Sequence, residues 1–357
     1  MTIRNILIIC GGRSPEHEIS LLSAVGVAGN LDGDKFRPIG VYVDHFGTWH
    51  YVENFVSGGS DLGRATGQIC TLIRVHNQVF LFVLESQKRV LIDAVFPLIH
   101  GPTGEDGVLQ GMLETFCLPY VGSGVLSSAI GMDKVLSKQV FLQNNIPVVP
   151  FIFFRGRDER HPTYGEVCKK LGVEILCVKP ANMGSSIGVC KVSSSKEYVQ
   201  AVKNAMQYDS KVLVEKFIAP AREIECAVLG NEQPITSCLG EVMVNEKYPI
   251  YSYEAKYCDP GGAALIVPAQ FDSMALESRI KELAVRAFKV AECAGYARVD
   301  FLIDAEAIYI NELNTVPGFT EISLYPKMWA ESGLGYRDLI TRLIDLAFEV
   351  YLKRKRG

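Results

Sequence analysis

A chain of 357 residues is long for one compact core, so two or three domains are expected. Hydrophobic residues make up 48% and charged residues 21%, the balance of an ordinary globular protein, and a net charge of −4 offers no basic field for nucleic acid. The one basic cluster, KRKR at 353–356, closes a helical pattern, where cations suit a helix C-terminus and a solvated tail. Ten cysteines scatter from Cys10 to Cys293 without a C-x-x-C pair, mostly in apolar runs (Cys10, Cys177, Cys226), the usage of a reducing compartment. The apolar stretch 6–10 is too short for a signal peptide, and no segment approaches the roughly 20 apolar residues of a membrane span. A cytoplasmic protein with neither nucleic acid nor membrane as partner is expected.

Residues 3–10 (IRNILIIC) read as a buried strand running into Gly11-Gly12. Ser14-Pro15 then starts a helix, with Ser14 as cap and Pro15 at the first helical position, and Ile19, Leu22 and Val25 form its buried stripe. Strand patterns follow at 38–43, 71–75, 79–84 and 90–99, the last apolar throughout as a sheet-interior strand should be. It ends at His100, before the loop GPTGEDG and a helix from about Val108. Strand–loop–helix order implies an open α/β layer whose ligands gather at the carboxyl ends of the strands, where Glu16 and His100 both fall.

A small, glycine-rich stretch around 122–131 marks a boundary. Beyond it come a helix over 133–144, a strand over 148–154, a helix over 163–171, a strand over 174–179, a glycine loop and a strand over 188–192. Ser194-x-x-Glu197 has the form of a capping box for a helix over 195–207. A strand over 212–218 leads to a third unit: a strand over 223–229 turning at Gly230-Asn231, a polar segment over about 244–266, an amphipathic helix over 274–293, and strands over 297–303 and 308–313. The polar segment is turn-rich yet carries Tyr248, Tyr251, Tyr253 and Tyr257, which suits a lid that orders over bound ligand.

The segment 297–318 (ARVDFLIDAEAIYINELNTVPG) is the most informative. Asp300 sits mid-strand, where an acid is costly unless partnered. A hairpin with a three-residue turn at 305–307 sets Asp304 against Ile308, Asp300 against Glu312 and Arg298 against Asn314, all on one face. Two carboxylates, an amide oxygen and a guanidinium suit magnesium carrying nucleotide phosphates, although a structural ion-pair cluster is the plainer alternative. In VKPANMGSSIGV (178–189), a lysine ending a strand and a Gly/Ser-rich turn can lay N–H groups and hydroxyls over phosphates; a plain surface hairpin is the alternative. No Walker A motif occurs. Residues 184–188 match G-x-S-x-G, but a strand follows rather than a helix and no histidine comes after His161, so a hydrolase is excluded. The half-fingerprint GSGVLS at 122–127 lacks its third glycine and a preceding strand, which leaves a nicotinamide oxidoreductase as a weak rival.

Together these segments resemble the ATP-grasp ligases, and within them the D-alanine:D-alanine ligase family. The resemblance rests on GGRSPEHEIS (11–20), LIHGPTGEDGVLQG (98–111), MDK (132–134), VKPANMGSSIGV, VEKFI (214–218), EAKY (254–257), RVD (298–300) and NELNTVPGFTEISL (311–324), in order along nearly the whole chain. It implies a multidomain α/β (α+β) protein with an N-terminal open α/β substrate domain (1–122), a central ATP-grasp domain (123–215) and a C-terminal ATP-grasp catalytic domain (216–357). ATP would lie between the last two, with Lys134 and Lys179 on its phosphates, Glu215, Lys216 and Ile218 at the adenine, Glu223 at the ribose and Lys256 nearby. Asp300, Glu312 and Asn314 would hold two magnesium ions, or manganese. Glu16 would orient the ammonium of the first D-alanine, His100 would lie beside it, and Ser323 and Leu324 would hold the second. Arg298 and the Gly318 N–H would stabilise an oxyanion, and Ser185 and Tyr257 would link Glu16 to the lid. The family role is peptidoglycan precursor synthesis for the cell wall and cell shape, by a homodimer. A D-lactate- or D-serine-using variant is the near alternative, with Tyr257 favouring an amine and Glu321 departing from the family pattern beside the second subsite. A catalytically dead nucleotide-binding regulator is disfavoured because Arg298 and all three metal ligands are present.

Overall fold

The computed structural model describes residues 3–53, 55, 67–157, 160–248, 250, 251, 254, 259, 261–305, 307–321 and 323–355. The chain opens with β1 (Arg4–Gly11), α1 (His17–Gly29), β2 (Phe36–Val43), β3 (Trp49–Val52), β4 (Gln68–Val75), β5 (Gln78–Val83), β6 (Arg89–Ile92) and β7 (Ala94–Pro97). These strands form one seven-stranded sheet in the order β6-β5-β4-β3-β2-β1-β7. β1 carries no polar side chain after Asn5 and is buried from Ile6 onward, because parallel partners flank it on both sides.

Two expectations are corrected here. The apolar run 90–99 is two strands, since Asp93 leaves the ladder and accepts from the Asn5 N–H at 2.7 Å. β6 then pairs antiparallel with β5, whereas β7 pairs parallel with β1. Helix α1 begins two residues later than its Ser-Pro signal, because the Ser14 hydroxyl accepts from the Glu16 N–H at 3.1 Å within a preceding turn. Its buried face is His17, Ser20, Leu21, Ser23, Ala24, Val27 and Ala28, not Ile19, Leu22 and Val25. Small residues let the helix sit close to the sheet, and Ser20 is satisfied there, donating to the Leu98 carbonyl at 2.6 Å and accepting from Gly11 N–H at 2.8 Å. The apolar stripe faces an open cavity instead, leaving Leu22 59% exposed.

After α2 (Val108–Thr115), α3 (Val125–Met132) and α4 (Lys134–Gln143), a four-stranded antiparallel sheet forms from β8 (Phe151–Arg155), β9 (Leu176–Pro180), β10 (Cys190–Val192) and β11 (Lys211–Lys216). Its order is β10-β9-β11-β8. α5 (Tyr164–Leu171) and α6 (Ser195–Ala205) share its core. The full capping box lies at Thr163–Glu166. At the expected one, Ser194 caps the Glu197 N–H, and Glu197 in turn accepts from the Ser193 N–H at 2.7 Å.

The third sheet comprises β12 (Arg222–Gly230), β13 (Ile235–Val244), β14 (Ala263–Ile266), β15 (Gly295–Asp304) and β16 (Ala307–Asn314), in the order β14-β13-β12-β15-β16. Thus the expected polar segment ends in a strand, and its base is closed where Asn245 N–H donates to the Gly262 carbonyl at 2.9 Å. Helix α7 (Met274–Val290) covers one face of this sheet through Ile280, Leu283, Ala287 and Phe288. The last helices, α8 (Leu324–Glu331) and α9 (Tyr336–Arg354), join this sheet and the seven-stranded one in a shared core. Phe319 stands at its centre, its ring 5.7 Å from that of Phe96 and 5.9 Å from those of Tyr296 and Tyr325. Tyr336 donates to the Phe319 carbonyl at 2.5 Å, fixing the backbone between Gly318 and Ser323.

The β15–β16 hairpin brings the expected pairs together by a different register. Asp304 pairs with Ala307, one residue short of the expected turn, and a bulge at Asn311 restores Asp300 against Glu312 and Arg298 against Asn314. Among the described residues no helix is long and apolar enough to cross a membrane, and the nine described cysteines are all free.

Asp133 starts α4 by accepting from the Val135 and Leu136 N–H groups at 3.0 and 3.1 Å, and it also meets Lys211. Asp133→Ala should therefore lower unfolding free energy by about 0.5–2 kcal/mol, measured by urea titration.

Candidate active site

Three acids stand in one row across the third sheet: Glu225 on β12 pairs with Asp300 on β15, which pairs with Glu312 on β16. Their neighbours Ile224, Cys226, Val299, Phe301 and Leu313 point into the core under α7, so strand alternation turns all three carboxylates to the opposite face. Like charges directly opposite destabilise a sheet. Two cations answer them. Arg298 forks onto Asp300, Nε to Oδ1 and Nη2 to Oδ2, both at 2.7 Å, with Glu225 Oε2 3.0 Å from Nε. Lys134 Nζ lies 3.0 Å from Glu312 Oε2 and donates to the Met183 carbonyl at 2.9 Å. Burial works against the Arg298 charge, but Asp300 and Glu225 outweigh it and raise its pKa. Asn314 accepts from the Val316 N–H at 3.1 Å.

This donor set of hard oxygens fits a divalent cation such as magnesium. Among the described residues, the one trio of metal-ligating side chains with all ligand atoms within 4.8 Å is His17, Glu18 and His45, where the two imidazoles stack at 3.9 Å. The acid row is not drawn so tight, since Arg298 and Lys134 already engage its oxygens.

Next to the row, Glu215 is 2% exposed and clasped between two ammonium groups: Lys138 Nζ is 2.7 Å from Oε1, and Lys179 meets Oε2. Burial alone would raise the Glu215 pKa, but Lys138 and Lys179 outweigh it and hold the carboxyl below its usual range. Lys179 also reaches Asn311 Oδ1 at 3.3 Å, the side chain at the bulge, and Lys138 approaches the Ile310 carbonyl at 3.4 Å.

A cavity of about 520 Å³ is lined by Lys134, Lys179, Glu215, Lys216, Ile218 and Glu223, with Asp300 at its wall. A second, of about 690 Å³, gathers Glu16, His100, Ser185, Gly318, Ser323 and Leu324, with Arg298 and Asn314 on its wall. Lys134, Glu225, Tyr251 and Glu312 line both, so the two spaces meet at the Lys134–Glu312 pair. Ser185 donates to Glu16 Oε1, and Ser186 donates to the Tyr251 carbonyl at 2.6 Å. The His100 ring nitrogens face the Val316 carbonyl at 3.0 Å and the Ser23 hydroxyl at 3.3 Å. Burial disfavours its imidazolium, yet Glu105 and Glu16 outweigh that and raise its pKa. Ser323 Oγ accepts from the Thr320 N–H at 3.1 Å at the start of α8, with Gly318 beside it.

Every site residue expected from the sequence thus lines one of the two cavities, except Lys256 and Tyr257, which lie outside the described residues. Three participants were not foreseen. Glu225 lies two residues from Glu223 in REIECAVLG, and that spacing puts both acids on one face. Lys138 follows Lys134 by four in MDKVLSK, one helical turn along the same side. Glu105, 3.7 Å from His100 Nδ1, carries no separate signal inside its loop.

Similarity to known proteins follows the same lines. Residues 5–123 match the family described as D-ala D-ala ligase N-terminus, and residues 140–345 match D-ala D-ala ligase C-terminus. A D-alanine–D-alanine ligase A of Salmonella typhimurium is 43% identical over 350 residues, covering 96% of this chain and 95% of that one. The solved D-alanine–D-alanine ligase of Coxiella burnetii superposes with a TM-score of 0.88 at 35% identity, over 100% of this chain and 97% of its own. The VanG D-Ala:D-Ser ligase of Enterococcus faecalis superposes with a TM-score of 0.84 at 31% identity, over 97% and 100%. Matched in both halves and along nearly its whole length, the chain belongs to the D-alanine–D-alanine ligase family and has its ATP-grasp fold.

Proposed function

We propose that the protein joins two D-alanines into D-alanyl-D-alanine with ATP as phosphoryl donor, through an acyl phosphate, in the cytoplasm and for peptidoglycan precursor synthesis. One observation carries this reading: a cavity walled by lysines and buried acids opens at the Lys134–Glu312 pair onto a cavity that holds Glu16, Arg298 and Ser323. A phosphoryl donor in the first and a carboxylate in the second would face each other across that pair. Three domains (1–122, 123–215 and 216–357) and a homodimer complete the proposal.

Glu16, oriented by Ser185, accepts the ammonium of the first D-alanine and leaves its carboxylate toward the nucleotide. That carboxylate attacks the γ-phosphate and displaces ADP to give the acyl phosphate, a transfer that depends on positioning and charge neutralisation more than on covalent help from the protein. Lys134 and Lys179 contact the phosphates. Glu215, kept ionised by its two lysines, can only accept hydrogen bonds and so reads the adenine amino group. Asp300, Glu312 and Asn314 would hold magnesium, which would supply further neutralisation of phosphate oxygens. The carboxylate of the second D-alanine sits at Ser323 and the N-terminus of α8, where N–H groups and the helix dipole favour an anion. Its amine, once it has lost a proton, attacks the acyl carbon; the developing oxyanion meets Arg298 and the Gly318 N–H, and inorganic phosphate leaves as the C–O bond breaks. A second reading, D-serine as second substrate, has one observation in its favour. Glu321, which accepts from Asn30 Nδ2 at 3.1 Å, places a polar pair on the wall of the cavity that holds Ser323.

Glu312→Gln should abolish ATP turnover while leaving the circular dichroism spectrum unchanged; a folded variant with near wild-type activity would remove Glu312 from the metal site. Arg298→Ala should lose about 10²–10³ in kcat with nucleotide binding changed far less, the typical effect of one oxyanion donor. If the loss appears mainly as weakened nucleotide binding, Arg298 is a phosphate or structural residue. ADP release with D-alanine, D-serine and D-lactate, with products identified by mass, should give D-alanyl-D-alanine as the main product. A dominant D-alanyl-D-serine would instead support the second reading.

A further inference from the structure

Arg298 stands between two carboxylates that are themselves cross-strand partners, Asp300 on its own strand and Glu225 on β12. Directly opposite Arg298 on β12 is Ala227, too small to fill the space, so the guanidinium leans back along the sheet to the Glu225–Asp300 row. The fork onto Asp300 takes up Nε and Nη2 at 2.7 Å each, while Glu225 Oε2 lies 3.0 Å from the same Nε. Asp300 thus takes both hydrogen bonds of that edge, and Glu225 stands beside it as a second ion-pair partner. They differ in where they open: Asp300 lines the nucleotide cavity, whereas Glu225 lines both cavities at their junction.

That difference matters if Asp300 takes a cation. A carboxylate oxygen that coordinates a metal loses most of its pull on a neighbouring guanidinium. A long arginine side chain released at one end would regain rotamer freedom and leave its charge poorly placed. We propose that Glu225 is the positioning residue of Arg298: it keeps hold of Nε when Asp300 turns to a cation, which frees Nη2 for the oxyanion. Glu225 thereby ties oxyanion stabilisation to loading of the nucleotide site: Arg298 already lines the second cavity, and loading is what releases its Nη2 from Asp300. A carboxylate only 7% exposed at this place is costly, and an ion pair that survives metal loading offsets that cost. The inference rests on the roles of Asp300 and Arg298 set out above.

The test is a double-variant cycle in the full-length enzyme. Glu225→Gln keeps shape and folding but removes the charge, and it should lower kcat about 10- to 100-fold, as loss of an outer-shell partner does. ATP KM should stay unchanged, and so should the affinity for Mn²⁺, read by electron paramagnetic resonance with a non-hydrolysable ATP analogue. Added to Arg298→Ala, Glu225→Gln should cost nothing more, because a residue that acts through another has no effect once that one is gone. Losses that multiply in the double variant overturn the inference. Weakened Mn²⁺ binding in Glu225→Gln also overturns it and makes Glu225 a metal ligand. Near wild-type activity in Arg298→Ala would instead sink the oxyanion reading of the site itself, and the role of Glu225 with it.

Discussion

Three carboxylates in one row across adjacent strands cannot stand without counter-charges, and this constraint organises the centre of the molecule. Glu225, Asp300 and Glu312 face the same way because strands alternate, and their mutual repulsion is offset from two directions. Arg298 comes from within the sheet. Lys134 comes from the first residue of α4, a helix whose start is fixed by Asp133. The third sheet, the central helix and the loop at Met183 are therefore registered against one another by charge as well as by packing.

The buried chain Lys138–Glu215–Lys179 repeats the theme deeper in the protein. Such clusters contribute little net stability, because desolvation consumes most of the Coulombic gain. Their value lies in the state they impose. Glu215 stays ionised although burial alone would raise its pKa. Lys179 is aimed at once toward Glu215 and toward Asn311, the bulge residue next to Glu312. One strand irregularity thus links the buried Glu215 cluster to the acid row at Glu312.

Much of this was legible in the sequence, and what was missed has identifiable physical causes. The mid-strand acids stood out because Asp300 and Glu312 interrupt apolar strands, and period-two alternation put them on one face whatever the exact turn. The turn itself was misjudged by one residue, and the pairs survived only because the bulge at Asn311 compensates. In helix α1 hydrophobicity and burial part company: its serines pack inward through hydrogen bonds to backbone, and its larger apolar residues line a cavity. The break at Asp93 was hidden in an apolar run, where one acid bonded to Asn5 N–H redirects the strand. Lys138 and Glu225 carried spacing signals, but their meaning depends on long-range neighbours that no local pattern reports.

The loop between β9 and β10 touches both cavities, Ser185 lining one and Ser186 the other. Ser185 and Ser186 both hold left-handed backbone conformations, with φ of 50° and 58°, where a side chain other than glycine is disfavoured. Each such residue costs about 1–3 kcal/mol and persists only when its surroundings dictate it. Here the surroundings are specific: the Ser185 hydroxyl bonds Glu16, and the Ser186 hydroxyl bonds the Tyr251 carbonyl. Glu16 comes from the turn before α1, beside the seven-stranded sheet, and Tyr251 from the segment that joins β13 to β14. The Ser/Gly turn that could cradle phosphates is therefore shaped by a residue of the other cavity and by the expected lid. Occupation of Glu16 by an ammonium would alter the bond that holds the turn. On the function proposed above, the backbone facing the nucleotide would then respond to whether the first amino acid is present, through two hydroxyls and two strained residues.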